Sequence, residues 1–168
     1  MVEIHSTRRI KELISTLGSK DGALREKARL TLVELGESSI PGLIDHVGDH
    51  DERVRWEVAK TFEELKNPSA APAMVGLLMD DVPGIRWLAG EGLINLKQDA
   101  LIPILKGLQV NFQSTFFLEG AHHVLRTLAR EGILDDDGLS TLEALEGTSP
   151  ALSVPFVAAK ALNSRRSK

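Results

Sequence analysis

The chain contains no cysteine among its 168 residues, which excludes disulfides and thiolate chemistry and leaves the redox compartment open. No apolar run approaches the ~20 residues that span a bilayer. The stretch Met1 to Arg9 carries charges and a histidine and lacks the apolar core of a signal peptide. Together these absences lead us to expect a soluble, cytoplasmic protein. There is no basic excess either. The formal net charge is −4, which argues against a nucleic-acid binder, although a local basic patch stays open. Nucleophile elbow and phosphate-binding glycine loop are both missing. Carboxylates such as Glu57, Glu63 and Glu64 read as the solvated surface of a helix. Neither an enzyme nor a cofactor is expected.

What is present is a core and a repeat. Hydrophobic residues make up 42% of the chain, and the 26% that are charged interleave both signs, so a folded chain is expected rather than a disordered tail. The length suits one domain, 1–168. Val54 to Leu65 reads Val-Arg-Trp-Glu-Val-Ala-Lys-Thr-Phe-Glu-Glu-Leu. The same spelling returns 31 residues later at Ile85 to Leu96 and stands 30 residues earlier at Leu24 to Leu35. A fourth copy begins at Phe117 and a fainter fifth at Val154, 37 residues on. Pro41, Pro72 and Pro103 recur at 31-residue intervals, each in the first turn of a preceding apolar helix, where a missing N–H costs nothing. Self-similarity at this period is the mark of stacked helical pairs.

Number the twelve positions of the motif from Val54. Positions one, five, eight, nine and twelve are apolar or small, and they share one helix face at 3.6 residues per turn. Small residues at five and six (Val58-Ala59, Ala89-Gly90, Ala158-Ala159) let helices approach closely. Arg29 at six and Arg165 at twelve depart from the rule in the first and last copies, where a repeat has no outer neighbour. Asp21, Asp51, Ser69, Ser114 and the Asp135-Asp136-Asp137 run are the expected caps. Repeats are expected over 10–36, 38–67, 68–98, 99–131 and 137–163, after a polar lead, Met1 to Arg9, and before a basic tail, Ser164 to Lys168.

The pattern Val-Arg-x-x-Ala-Ala-x-Ala-Leu-x-x-Leu, with a proline-containing helix some thirteen residues before it, resembles HEAT repeats. Its ~30-residue period is similar to the short subtype named after phycobilisome lyases. The resemblance implies an all-α fold: a right-handed α-α superhelix, or α-solenoid, of about five HEAT-like helical hairpins. It implies structural arginines at position two, Arg25, Arg55 and Arg86, bonded to acidic turns of their own or an adjacent repeat. It also implies that the second helices line a concave face. Positions three, seven and ten would then form a solvent-facing stripe holding Trp56, Trp87, Lys60, Glu91, Leu30, Val33, Ile94 and His123, continued in the last repeat by Phe156, Lys160 and Asn163.

Two readings of the tryptophans follow. They are anchors for a partner, as exposed indoles rimmed by charge are elsewhere, or they fold sideways and pack on the next repeat. The expected function is a non-enzymatic scaffold that binds a protein or peptide on its concave face, acting as a monomer. The alternatives are a bilin lyase-like or tetrapyrrole chaperone-like accessory, and a nucleic-acid-binding helical repeat. His46 and His50, four apart, lack a third ligand close in sequence and read as surface residues. The adjacent His122 and His123 point in different directions. No His-Glu dyad is present, so the metal chemistry of the deoxyhypusine hydroxylases is not carried over.

Overall fold

The computed structural model describes residues 2–166, and among them it contains ten α-helices and no strand. They are α1 (Val2–Thr16), α2 (Gly22–Leu35), α3 (Ile40–Ile44), α4 (Glu52–Leu65), α5 (Ala71–Leu77), α6 (Pro83–Asn95), α7 (Leu101–Val110), α8 (Thr115–Arg130), α9 (Asp136–Glu146) and α10 (Pro150–Arg166). Short 3₁₀ turns at Gly36–Ser39, Pro68–Ala70 and Lys97–Ala100 lead straight into α3, α5 and α7. The all-α, stacked-pair architecture is the one the repeat period predicts. No helix among the described residues is long and apolar enough to cross a membrane. The expected polar lead is helical from Val2 onward. Met1, and Ser167 and Lys168 of the expected basic tail, lie outside the described residues.

The helix starts follow local chemistry. Asp21 accepts from the N–H groups of Ala23 and Leu24 at 2.9 and 3.4 Å, and Asp51 accepts from Arg53 N–H at 2.9 Å. Ser114 caps α8 through Phe117 N–H at 3.3 Å, and Asp135 caps α9 through Gly138 N–H at 2.9 Å. Such side chains satisfy donors that the first turn of a helix leaves unpaired. Ser69 is not a cap. Asn67 takes that role and accepts from Ser69 N–H at 2.9 Å, because the chain enters a 3₁₀ turn at Pro68 before α5 begins. After each of α2, α4, α6 and α8 the chain reverses through one residue of positive φ: Gly36, Lys66, Lys97 and Gly132. Two of these are lysines, for which a left-handed backbone is a modest strain.

The helices form two layers. α2, α4, α6 and α8 pack in succession, and α1, α3, α5 and α7 lie beneath them. Between the layers runs one core that includes Leu17, Leu32, Phe62, Met74, Ile85, Leu93, Ile104 and Phe117, all fully buried. The last pair departs from the repeat. α10 packs against α7, and α9 packs against α8. The order of the layers is therefore exchanged: α9 continues the row of second helices, and α10 joins the row of first helices. Position six faces forward along the row, and it traces the exchange. Arg29 of α2 meets Glu57 and Glu64 of α4, and His122 of α8 meets Glu146 of α9 through Nε2 at 3.0 Å. The irregular 37-residue spacing of the last copy is where this exchange occurs. Arg165, the other departure from the motif, ties the end of α10 to the start of α9 by bonding Asp135 at 2.5 and 2.6 Å and Asp137 at 3.3 Å.

Candidate functional site

The position-two arginines share one geometry. In each, Nη1 donates to the carbonyl six residues back: Arg25 to Ser19 at 2.8 Å, Arg55 to Asp49 at 2.9 Å, Arg86 to Asp80 at 2.7 Å. The guanidinium thus closes the turn ahead of its own helix. The remaining donors differ. Arg55 bonds Asp80 through Nε at 2.7 Å and Asp81 through Nη2 at 2.7 Å, in the turn of the next repeat. Arg25 bonds Glu57 on α4 at 3.0 Å rather than an acidic turn. Arg86 lies 4.0 Å from the centre of the Phe116 ring, a cation–π arrangement.

Burial alone would raise the Asp80 carboxyl, but the Arg55 hydrogen bonds and the Val82 N–H outweigh it and hold it below its ordinary value near 3.8. A depressed folded-state value contributes stability above the ordinary value and loses it as pH falls through the lower one. Acid titration of the melting temperature therefore should show a loss setting in below about pH 4. Asp80→Asn should lower stability at pH 7 and narrow the gap between pH 7 and pH 3. An unchanged gap would mean that other carboxylates carry the acid sensitivity.

Trp56 on α4 is 41% exposed and Trp87 on α6 is 59% exposed. Both lean toward the following helix. The Trp56 indole lies over Gly84 at the start of α6, where an added Cβ would fall 2.2 Å from Cζ3. The corresponding place in the next repeat is filled by Phe116, so Trp87 has no such seat. It tilts against His123 of α8 instead, with ring centres 5.3 Å apart and planes at 34°. Each indole is thus partly packed on its neighbour and partly open to water, which joins the two readings left open above. Gly84→Ala should displace the Trp56 ring toward solvent and red-shift its emission. Stability should change by no more than about 1 kcal/mol, because the obstructing atoms are the free end of a half-exposed side chain.

Around the indoles, Leu30 on α2 is 47% exposed and Val33 is half-buried. Lys60 Nζ donates to Glu63 at 2.8 Å, and Glu91 pairs with His123 Nε2 at 3.2 Å. Beside Trp56 opens a cleft of ≈ 370 Å³ lined by Arg25, Glu52, Arg53, Glu57 and Val82.

Three expectations need correction. Ile94 is 7% exposed and belongs to the core. Two turns earlier on the same helix Trp87 is open, but Ile94 stands one turn beyond Gly90, where α8 comes close enough that an added Cβ would lie 3.6 Å from His123 and 3.9 Å from Val124. Phe156, Lys160 and Asn163 do not continue the stripe, because α10 lies in the other layer against α7. Glu57 is not a solvated carboxylate. It is 6% exposed and accepts from Arg25 Nε at 3.0 Å and Arg29 Nη1 at 2.8 Å. The signal for it was legible: a charge at position six of one copy, Arg29, faces a charge at position four of the next, where the following copy has Leu88.

His46 and His50 do not converge. His46 Nδ1 bonds the Gly42 carbonyl at 2.9 Å, while His50 projects into solvent beside Asp49. No group of three His, Asp or Glu among the described residues is arranged to hold a metal.

Residues 10–94 and 40–109 match the family model described as HEAT repeats. A curated relative, the phycocyanobilin lyase subunit beta of Nostoc sp. (strain PCC 7120), is 28% identical over 88 residues, which are 52% of this chain and 44% of that protein. The match thus covers less than half of the relative's own length. With more than half of the chain under the family model and the stacked helical pairs in place, the chain belongs to the HEAT-repeat family.

Proposed function

We propose that this helical-repeat scaffold binds a protein or peptide partner on the concave face of its second helices, around Leu30, Trp56 and Trp87, and performs no chemistry there. The observation that carries the reading is the pair of exposed indoles at equivalent places on adjacent helices. Large aromatic surface left in water costs free energy that a partner can recover, and tryptophan is enriched among the residues that dominate interface energetics. The charges next to the indoles are already paired, Lys60 with Glu63 and Glu91 with His123. The apolar surface is therefore bordered by polar groups that already have partners.

The test is the double variant Trp56→Ala/Trp87→Ala. Its melting temperature should stay within a few degrees of wild type, since neither ring is buried. Its recovery of partner proteins from extracts of the native host should fall at least tenfold. Equal recovery would remove the face from consideration, and a large loss of melting temperature would return both rings to a packing role.

The Nostoc relative supplies a second reading, a tetrapyrrole-handling accessory. The cleft beside Trp56 offers an aromatic wall, but its two guanidiniums are engaged, Arg25 by Glu57 and Arg53 by Asp51. That leaves poor provision for the carboxylates of an open-chain tetrapyrrole. Titration with a bilin separates the readings: a shift of its visible absorption supports the second, and a flat titration dismisses it. Phosphate backbones fit neither the net charge of −4 nor the carboxylates of Glu26 and Glu119 on the same face.

A further inference from the structure

The position-three row has an internal order. On α2, α4, α6 and α8 it reads Glu26, Trp56, Trp87, Glu119, and all four side chains are exposed. Two indoles stand in the middle and a carboxylate at each end. The end carboxylates are spare. The nearest cation to Glu26 is Arg29 at 3.9 Å, and that guanidinium is already bonded to Glu57 and Glu64. Glu119 makes no ion pair among the described residues. Of the exposed cations on α8, Arg126 stands two turns further along that helix, about 10 Å off the row, and Arg130 lies beyond it.

We propose that the occupant of this row is an extended, polyproline-type segment with proline or another apolar residue over each indole and a lysine or arginine at each end, over Glu26 and Glu119. The proposal rests on the reading of this face as a protein-binding surface. Packed helices lie about 8–10 Å apart. A polyproline helix repeats every three residues and rises about 3.1 Å per residue, so every third side chain points the same way at intervals of about 9 Å. Ten residues in that conformation run the length of the row. A β-strand turns residues three apart to opposite sides and loses the register. An α-helix about 10–12 Å wide needs a groove to lie in. Here the indoles lean into the spaces between α4 and α6 and between α6 and α8, leaving the row shallow. Proline rings lie flat on indole faces, and basic ends complement the unpaired carboxylates.

Fluorescence polarisation with three labelled ten-residue synthetic peptides tests this. The first has lysine at both ends, prolines at its fourth and seventh positions and serine or alanine elsewhere. The second replaces the lysines by glutamates, and the third moves one proline so that the pair is two apart. The lysine-ended peptide should bind about tenfold more tightly than the glutamate-ended one, and more tightly than the misregistered one. Glu26→Lys/Glu119→Lys should invert the charge preference. Equal binding of the first two peptides, or binding of none, overturns the proposal. If Trp56→Ala/Trp87→Ala still abolishes binding while the end charges make no difference, the face stands and only the occupant falls. If that variant binds as well as wild type, the reading of the face itself falls.

Discussion

Glu57→Ala is expected to destabilise the fold by about 3 kcal/mol, the order seen when one partner of a buried ion pair is removed. The carboxylate is 6% exposed and sits between two guanidiniums that are themselves only 24% and 15% exposed, those of Arg25 and Arg29. Burial alone would make the Arg29 guanidinium easier to deprotonate. Its bond to Glu57 and the nearby carboxylates of Glu64 and Glu26 outweigh burial and hold it charged more firmly than usual. Truncation of Glu57 leaves two cations of α2, one turn apart, against α4 without the carboxylate between them. In a chain of this size the loss corresponds to a fall of about 6–12 °C in melting temperature, measurable by circular dichroism. The next interface in the row has no charge at these places, with Ala59 opposite Leu88. Arg29→Ala/Glu57→Leu copies it and should recover part of the loss, since the most buried pair is replaced by apolar groups while Arg25 keeps its bond to the Ser19 carbonyl. A Glu57→Ala variant that melts within 2 °C of wild type would show that the network is solvated and contributes little.

Phe117→Ala should cost about 3–5 kcal/mol. The ring is fully buried between α7 and α8 and rests on Gly107, where an added Cβ would meet Phe117 Cζ at 2.5 Å and Val75 Cγ1 at 2.8 Å. The contact is close enough that glycine is required on one helix for the phenyl ring to fit from the other. Gly107→Ala alone should therefore destabilise, by about 1–3 kcal/mol of overpacking offset by up to about 1 kcal/mol of helix propensity. Combined with Phe117→Ala, its methyl enters the vacated space, so the double variant should be more stable than the sum of the two predicts. A double-mutant cycle in urea measures that coupling. Additive losses would mean that the ring and the glycine do not meet. The site depends on this contact, because Phe117 seats the start of α8 and with it Glu119 and His123.

The helical pairs, their order and most of their caps were legible because each is decided locally. A carboxylate or hydroxyl ahead of a helix satisfies nearby N–H groups wherever the helix goes, as Asp21, Asp51, Ser114 and Asp135 do. Trp56 and Trp87 were found by register alone, since equivalent positions in a repeat must share a face. Ile94 shows the limit of that argument. It occupies the same position as Glu63 and Arg126, yet it is 7% exposed, one turn beyond Gly90 on the side of α6 that meets α8. Periodicity says which side of a helix is apolar. It does not say how near the neighbour stands.

By itself, the amino-acid sequence determined an all-helical chain of stacked pairs, the period of the stack, and the alignment of two tryptophans on consecutive helices. Those properties follow from helical periodicity and from turn chemistry, both of which act over a few residues. Only the tertiary structure decided that Glu57 is buried between two arginines, that each indole rests partly on the next repeat, and that α9 and α10 exchange layers. These outcomes depend on distances between helices about thirty residues apart in the chain, and those distances are set by how side chains of different size interlock across the core.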